Sequence, residues 1–373
     1  MRKKNILLVS NGFYPEISPR SYRATELAKE FYRQGHKVTV LSKYRDHNYS
    51  SFLKDYPITF NMWGKPVLPK IPASRIRVLS VLLRAIKRMM ALLFEYPRIE
   101  EIFKVRKILK NYRGFDLIIS FAVPYTVHWG TAKAWSNKQQ VAKVWIADCG
   151  DPYMFARLDT FKKPFYFKYL EVLFCEKCNY ITVPFPEMKV QFYNQFFTKI
   201  RVIPQGVNME EIKLYKGVKS DSFPVFIFAG SIMPGKRDLN LFMDYLTKLD
   251  RDFKFIVYSN KPELFTKYKL LLGEKLLVLP YVDRLTLIYE MSKVDFLINV
   301  DSILDTGDNV EAIPSKLIDY ALANRPILNL NTANLDKDLV NKFLNRDYSG
   351  RRIIDKSQYN IKTVSKSFLE LAD

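Results

Sequence analysis

The stretch 309–330, NVEAIPSKLIDYALANRPILNL, sets two carboxylates, Glu311 and Asp319, on either side of a helix start. Pro314 fits the first helical position, where its missing N–H loses no hydrogen bond. The backbone N–H groups that follow, around Ser315, Lys316 and Leu317, have no partner inside the helix and lie at the positive end of its dipole. That arrangement suits a phosphate. Asp319 comes one turn later. Helical side chains lean toward the N-terminus, so Asp319 shares a face with Ser315 and can reach a group bound at the helix start. Taken alone, the pattern also fits an ordinary helix joining two buried strands, with Asp319 solvated and Glu311 a loop acid.

Such a helix needs strands to position it. The chain opens with an apolar strand at 5–10, a loop, a periodic helix at 22–34 capped by Gly35, and a second strand at 38–41. Further strand candidates fall at 116–121, 141–147, 180–183 and 201–203. A second series follows at 225–229, 253–258, 276–279, 296–300 and 327–330. Strands alternating with helices predict parallel sheets covered on both faces. The two series predict two doubly wound α/β halves, divided after VIPQGVN in the polar segment 213–221. In open sheets of this kind, ligands bind outside the carboxyl ends of the strands, and each candidate motif follows a predicted strand.

Composition narrows the function classes. A chain of 373 residues is expected to hold two domains, and 48% hydrophobic with 14% aromatic residues excludes a disordered protein. The net charge of +21 implies an anionic partner: a membrane surface, a nucleic acid or phosphorylated substrates. Three cysteines cannot form a disulfide framework and favour a reduced, cytosolic setting. Cys175 and Cys178 have metal-like spacing, but no second pair completes a site, so they are read as buried helix residues. The apolar run 6–9 is too short for a secretory signal, and no run approaches the ~18 residues that span a bilayer. The chain is therefore expected in the cytoplasm or on the inner face of the plasma membrane.

Residues 75–94, RIRVLSVLLRAIKRMMALLF, carry five basic residues and no acid. On a helix, Arg77, Arg84, Lys87 and Arg88 gather on one side, with a broad apolar face through Leu79, Leu82, Leu83, Ile86, Met90 and Leu93. This predicts an interfacial helix on anionic lipid; the competing reading is a core helix with snorkelling basic edges. Aromatic and basic residues interleave again at 161–169 and extend the same surface.

The spacing Glu311, seven residues, Asp319 resembles the signature of retaining glycosyltransferases of family 4, which have the GT-B fold. The resemblance implies two Rossmann-like domains facing across a cleft: residues 1–210 binding the acceptor, 211–355 binding a nucleotide sugar, and a C-terminal helix at 356–373 returning to the first domain. It implies that Glu311 orients the donor sugar and that Asp319 holds the ribose, although the family usually has Glu at the second position. The loop Gly230-Ser231-Ile232-Met233-Pro234-Gly235-Lys236-Arg237 resembles the family's phosphate loop. Its glycines let backbone approach a diphosphate, and Lys236 and Arg237 neutralise it. Ser231 stands where relatives commonly carry Arg, so that contact is either missing or supplied by Arg237.

LPYVDR resembles the base-holding segment, through backbone groups near Tyr281 and Val282. Relatives place a His beside the reacting sugar near 148–153; none of His36, His47 or His128 falls there, leaving Asp148 or, preferably, Asp151. Gly12 and Arg20 are expected to border the cleft, and Pro124 and Tyr125 to line the acceptor pocket. The implied activity is transfer of a sugar from a nucleotide diphosphate donor to a lipid-linked or polysaccharide acceptor in bacterial surface glycan assembly. The nucleotide sugar is then a co-substrate, with no cofactor, no metal and no nucleic acid partner. Rival readings are a basic nucleic-acid-binding protein, against which stands the lack of any recognition motif, and a GT-B-like sugar-nucleotide epimerase or inactive scaffold.

Overall fold

The computed structural model describes residues 2–69, 71–72, 76–136, 140–156, 161–217, 222–235, 237–301 and 315–373. The chain divides into two compact units, the first formed by Met1–Val207 with Tyr359–Asp373 and the second by Asn208–Gln358.

The first unit is built on a parallel sheet of seven strands: β1 (Asn5–Ser10), β2 (Lys37–Ser42), β3 (Thr59–Met62), β4 (Phe115–Ala122), β5 (Ala142–Cys149), β6 (Tyr180–Val183) and β7 (Ile200–Val202). Their order is β3-β2-β1-β4-β5-β6-β7, with Ile6 beside both Val38 and Leu117. Successive side chains of a strand point to opposite faces, and here both faces are covered. Ile6 and Leu8 join Phe13, Leu27 and Phe31 in one core, while Leu7 and Val9 join Trp129 and Trp145 in another. This explains why the strands read as continuous apolar runs. β3 escapes a sequence reading because it is an edge strand of alternating exposed and half-exposed residues, visible only through its pairing with β2.

The first helix spans Pro19–Arg33, three residues ahead of the predicted start, because Ser18 accepts a hydrogen bond from Ser21 N and Pro19 occupies the first turn. Arg23 on this helix is 1% exposed. The final helix, Ile361–Glu370, packs on it: Gln34 Nε2 donates to Ser365 Oγ (2.8 Å) and the Arg23 guanidinium lies 5.3 Å from the Phe368 ring centre. Val207 exchanges backbone hydrogen bonds with Tyr359 and Ile361 (2.8 and 2.9 Å) where the chain leaves and re-enters this unit. Gly206 makes the join possible, since a Cβ there would stand 2.5 Å from Ile361 Cδ1. Cys175, in the helix Phe167–Lys177, and its neighbour Cys178 are free and buried.

The second unit carries β8 (Val225–Ala229), β9 (Lys254–Tyr258), β10 (Leu276–Leu279), β11 (Phe296–Asp301) and β12 (Ile327–Asn331), all parallel, in the order β10-β9-β8-β11-β12. Phe226 stacks between Phe255 and Phe296 (4.9 and 4.7 Å) at the centre of one face, and Ile227 and Leu297 on the other face are equally buried.

The helix Arg77–Phe94 is not a core helix: none of its described side chains is buried, and Val78, Val81, Leu82, Met89 and Phe94 are exposed. Its C-terminal neighbour Glu95 is pinned by Tyr153 Oη and Lys163 Nζ (2.8 and 2.7 Å). Among the described residues no helix is long and apolar enough to cross a membrane.

Candidate active site

In the second unit the candidate residues gather where β8 and β11 end and the helix Ser315–Leu322 begins. Gly230 follows β8 with a positive φ of 149°, and a Cβ on it would come within 3.3 Å of Lys316 Cδ. Lys316 Nζ is enclosed, has no hydrogen-bond partner among the described residues, and lies 5.0 Å from the Phe228 ring centre. Burial, reinforced by the nearby charges of Arg237 and Arg352 and opposed by Asp301, lowers its pKa to about 7. Arg237 is held by an antiparallel backbone bridge to Met233 (2.8 and 2.7 Å), closed through Gly235 at φ 76°.

Asp319 is engaged through one oxygen only: Oδ1 accepts from Arg284 Nε and Nη2 (2.8 and 2.5 Å), and Oδ2 has no partner among the described residues. Burial raises its pKa, and Arg284 opposes the rise. Since Arg284 ends LPYVDR, this pair joins the segment of the exposed Tyr281 and Val282 to the helix. Lys236, Glu311 and Pro314 lie outside the described residues, as does the Ser315 side chain. Ser231 is exposed.

Sequence reasoning missed three supports. The Tyr320 hydroxyl accepts from Ala229 N (2.8 Å) and donates to Ala229 O (3.1 Å), tying the end of β8 to the helix. Arg284 is the second. The third is Asp301, which accepts from Arg352 Nη1 (3.1 Å), Asn329 Nδ2 (2.5 Å) and Asn299 Nδ2 (3.0 Å). The only sequence signal for Asp301 was its place at the end of a strand; Asn329, in the middle of β12, and Arg352, far along the chain, gave none. Lys316, Arg237 and Arg352 outnumber this carboxylate, so the cluster favours an anion.

In the first unit, Asp148 is 1% exposed and both its oxygens are engaged. Arg23 grips it with Nε and Nη2 (both 2.7 Å), Thr182 Oγ1 donates at 2.7 Å, and Arg20 Nη1 lies at 3.4 Å. Burial pushes its pKa up, but the charges and hydrogen bonds of Arg23, with Arg20 and Thr182, outweigh this and hold it below the ordinary value. Arg23 continues to the carbonyls of Pro204 and Ile203 (2.5 and 2.9 Å), so this pair fastens β5 to residues 203–207, the crossover by which the chain leaves the first unit after β7. Asp151 is exposed, making it the acid of the two with a carboxylate open to a ligand. Arg20 lies across Gly150, where a Cβ would stand 2.2 Å from Arg20 Cζ; Gly12 faces Ser21 at 3.3 Å. Pro124 and Tyr125 are buried beneath the loop, with Tyr125 Oη donating to Asp151 O (2.5 Å), and the exposed residue of this strand end is Val123. His128 bonds Ser120 Oγ (2.8 Å) in the interior, where burial lowers its pKa to about 3. Among the described residues no group of three or more His, Cys, Asp or Glu is placed to hold a metal ion.

Two parallel doubly wound units, a chain that returns to the first, and this cluster at the second sheet's carboxyl edge define a GT-B glycosyltransferase. The fold is shared with a glycosyltransferase from Rickettsia africae ESF-5 at 14% identity, covering 100% of this chain and 98% of that one with a TM-score of 0.64. It is shared with a variant of S. aureus TarM solved with Fondaparinux, alpha-GlcNAc-glycerol and UDP (12% identity, 99% and 100% coverage, TM-score 0.62). HepE from Anabaena, solved with UDP and glucose, has it too (11% identity, 98% of both chains, TM-score 0.60). The sequence profile of Glycosyltransferase Family 4 matches residues 21–211, and the chain belongs to that family. No curated protein sequence matches it.

Proposed function

We propose that this glycosyltransferase is a retaining enzyme that moves a sugar from a nucleotide diphosphate donor to a lipid-linked or polysaccharide acceptor in bacterial cell-surface glycan assembly. The observation that carries the donor half is the enclosed amine of Lys316 beside Gly230, backed by Arg237 and Arg352. Charge develops on the leaving nucleoside diphosphate, and preorganised cations together with the helix start at Ser315 stabilise it without a metal ion. Lys236 and Pro314 complete the loop and helix start in this reading. Asp319 presents its uncommitted Oδ2 to the ribose hydroxyls while Arg284 fixes Oδ1; Glu311 orients the sugar, with Asp151 opposite and the backbone at Tyr281 and Val282 on the base. The likeness to proteins solved with UDP supports this donor class. A nucleoside diphosphate at roughly 100 times its Kd should stabilise the protein by about 2.7 kcal/mol, read as a thermal shift. Glu311→Ala should then lower transfer by about 100-fold or more while keeping that shift. Absence of a shift with every nucleoside diphosphate would remove the donor assignment.

The acceptor half rests on the exposed face of the Arg77–Phe94 helix. Its apolar side chains stand among Arg84, Lys87 and Arg88, and the Arg88 guanidinium lies 4.6 Å from the centre of the exposed Phe161 ring. Phe165 and Tyr169, 77% and 70% exposed, continue the patch. This surface supports a reading in which the enzyme rests on an anionic bilayer, the inner face of the plasma membrane. Flotation with phosphatidylglycerol vesicles should recover the protein, and phosphatidylcholine vesicles should recover far less. Changing Arg84, Lys87 and Arg88 to Ser should weaken binding by roughly 3 kcal/mol, about 100-fold; equal binding to both vesicle types would end the lipid reading.

A further inference from the structure

Asp148 and Glu171 are both buried, at 1% and 0% exposure, and are held in opposite ways. Asp148 has Arg23 and Arg20 against it. Glu171, on the helix Phe167–Lys177, accepts one long hydrogen bond from Met154 N (3.5 Å), and its Oε2 has no hydrogen-bond partner at normal distance among the described residues. The groups that face it are Tyr125 at the head of the helix Thr126–Ala134, Cys149 at the end of β5, Tyr153, Tyr193 and, on its own helix, Cys175. Among the described residues none of these is a cation. Such a site disfavours a carboxylate, because the charge loses its hydration and gains no counter-charge. Burial accordingly lifts the Glu171 pKa to about 7, against the weaker pull of the Met154 amide and the Tyr193 hydroxyl.

The residues laid over Glu171 belong to the loop after β5 that bears Asp151. Three hydrogen bonds seat this loop: Tyr125 Oη donates to Asp151 O (2.5 Å), Tyr153 Oη to Glu95 (2.8 Å) and the Met154 amide to Glu171. Phe155 closes edge-on against Tyr193 (4.9 Å). Asp151 and Phe155 are exposed while Tyr153 is buried, so the loop is the layer between the carboxyl group and solvent. The longest of its three hydrogen bonds ends on the carboxyl that no cation compensates.

We propose that Glu171 is a proton-operated latch for this loop: protonated, it lets residues 151–156 close over the core, and ionised, it favours an opened loop in which the carboxylate is hydrated. The sign follows from linkage. The closed carboxyl keeps its proton over a range where an opened one, at the ordinary value of 4.5, has lost it. Opening therefore becomes about tenfold easier for each pH unit between those two values and levels off above the higher one. The bearing of the latch on transfer rests on the reading that sets Asp151 opposite the sugar.

Amide exchange on the full chain labelled with 15N-methionine, followed by NMR, tests the latch. With intrinsic rates divided out, protection of the Met154 amide should fall about tenfold per pH unit between about pH 5 and 7 and hold steady above that. Met188, buried in the same core with its amide on Phe185 O (3.3 Å), should keep its protection throughout. In Glu171→Gln, which retains the shape without the titrating group, Met154 protection should not vary with pH. The proposal is overturned if wild-type Met154 protection is independent of pH or if Glu171→Gln shows the same fall. It is equally overturned if Met188 falls in step, which marks unfolding of the whole unit; this comparison needs wild type alone and decides even where the variant does not fold. The two readings fail separately. Transfer undiminished by Asp151→Asn removes Asp151 from the site and leaves the latch, whereas a Met154 amide indifferent to pH sinks the latch and leaves Asp151.

Discussion

Replacing Lys316 by methionine is expected to weaken nucleoside diphosphate binding by about 10- to 100-fold, the loss of one charge-assisted hydrogen bond to phosphate in an enclosed site. Methionine keeps much of the aliphatic length that packs on Gly230 and Phe228, so the change removes charge more than shape. The pH dependence sharpens the test. With its pKa lowered to about 7, Lys316 in the folded, ligand-free protein has released its proton over a range where the unfolded chain still holds one. Stability of the ligand-free protein therefore rises between about pH 7 and 10 through this residue. The anion selects the protonated amine, so wild-type binding should weaken as pH rises through about 7, whereas Lys316→Arg, charged throughout, should show a flatter profile. Calorimetric titration of nucleoside diphosphate at pH 6, 7 and 8.5 reads both effects, and undiminished binding by Lys316→Met would remove this residue from the site.

The second large effect falls on stability. Asp148→Ala leaves the Arg23 guanidinium, 1% exposed, without its carboxylate. Breaking a buried pair from one side costs about 3–5 kcal/mol, a large share of the stability of an ordinary domain. The carbonyls of Ile203 and Pro204 still accept from Arg23 and keep the loss within that range. All the tryptophans, Trp63, Trp129, Trp135 and Trp145, belong to the first unit, so their fluorescence in urea follows that unit alone. The expected result is a markedly lower midpoint. Because the folded-state pKa of Asp148 lies below its ordinary value, its contribution is fully present above about pH 4 and fades only as pH falls through the folded value. An equal midpoint for wild type and variant at pH 7 would show that the pair is not what fastens β5 to the crossover.

Much of this was readable before any coordinates. The strands at 5–10 and 225–229 coincide with β1 and β8 because a strand covered on both faces must be apolar throughout, and that leaves a local signature. The doubly wound class follows from the same runs alternating with helices. β3 left no such mark, because an edge strand with half-exposed side chains needs no apolar run. The basic, apolar segment at 75–94 could equally have been a core or a surface helix, since periodicity records which side chains share a face and not what covers that face.

Local chemistry was likewise legible and its partners were not. Proline at a helix start, glycine with positive φ at Gly230, and lysine and arginine near a strand end are properties of a few consecutive residues. The sequence alone thus determined the fold class and the chemical type of the candidate groups. Only the tertiary structure decided that Asp148 is committed to Arg23 while Asp151 is open, that Arg284 holds one oxygen of Asp319, and that Tyr320 and Asp301 support the site. The pairings of Asp319, Tyr320 and Asp148 join residues 35 to 125 positions apart, and pairing over such distances is set by which strand ends the parallel topology brings together, which no local pattern records.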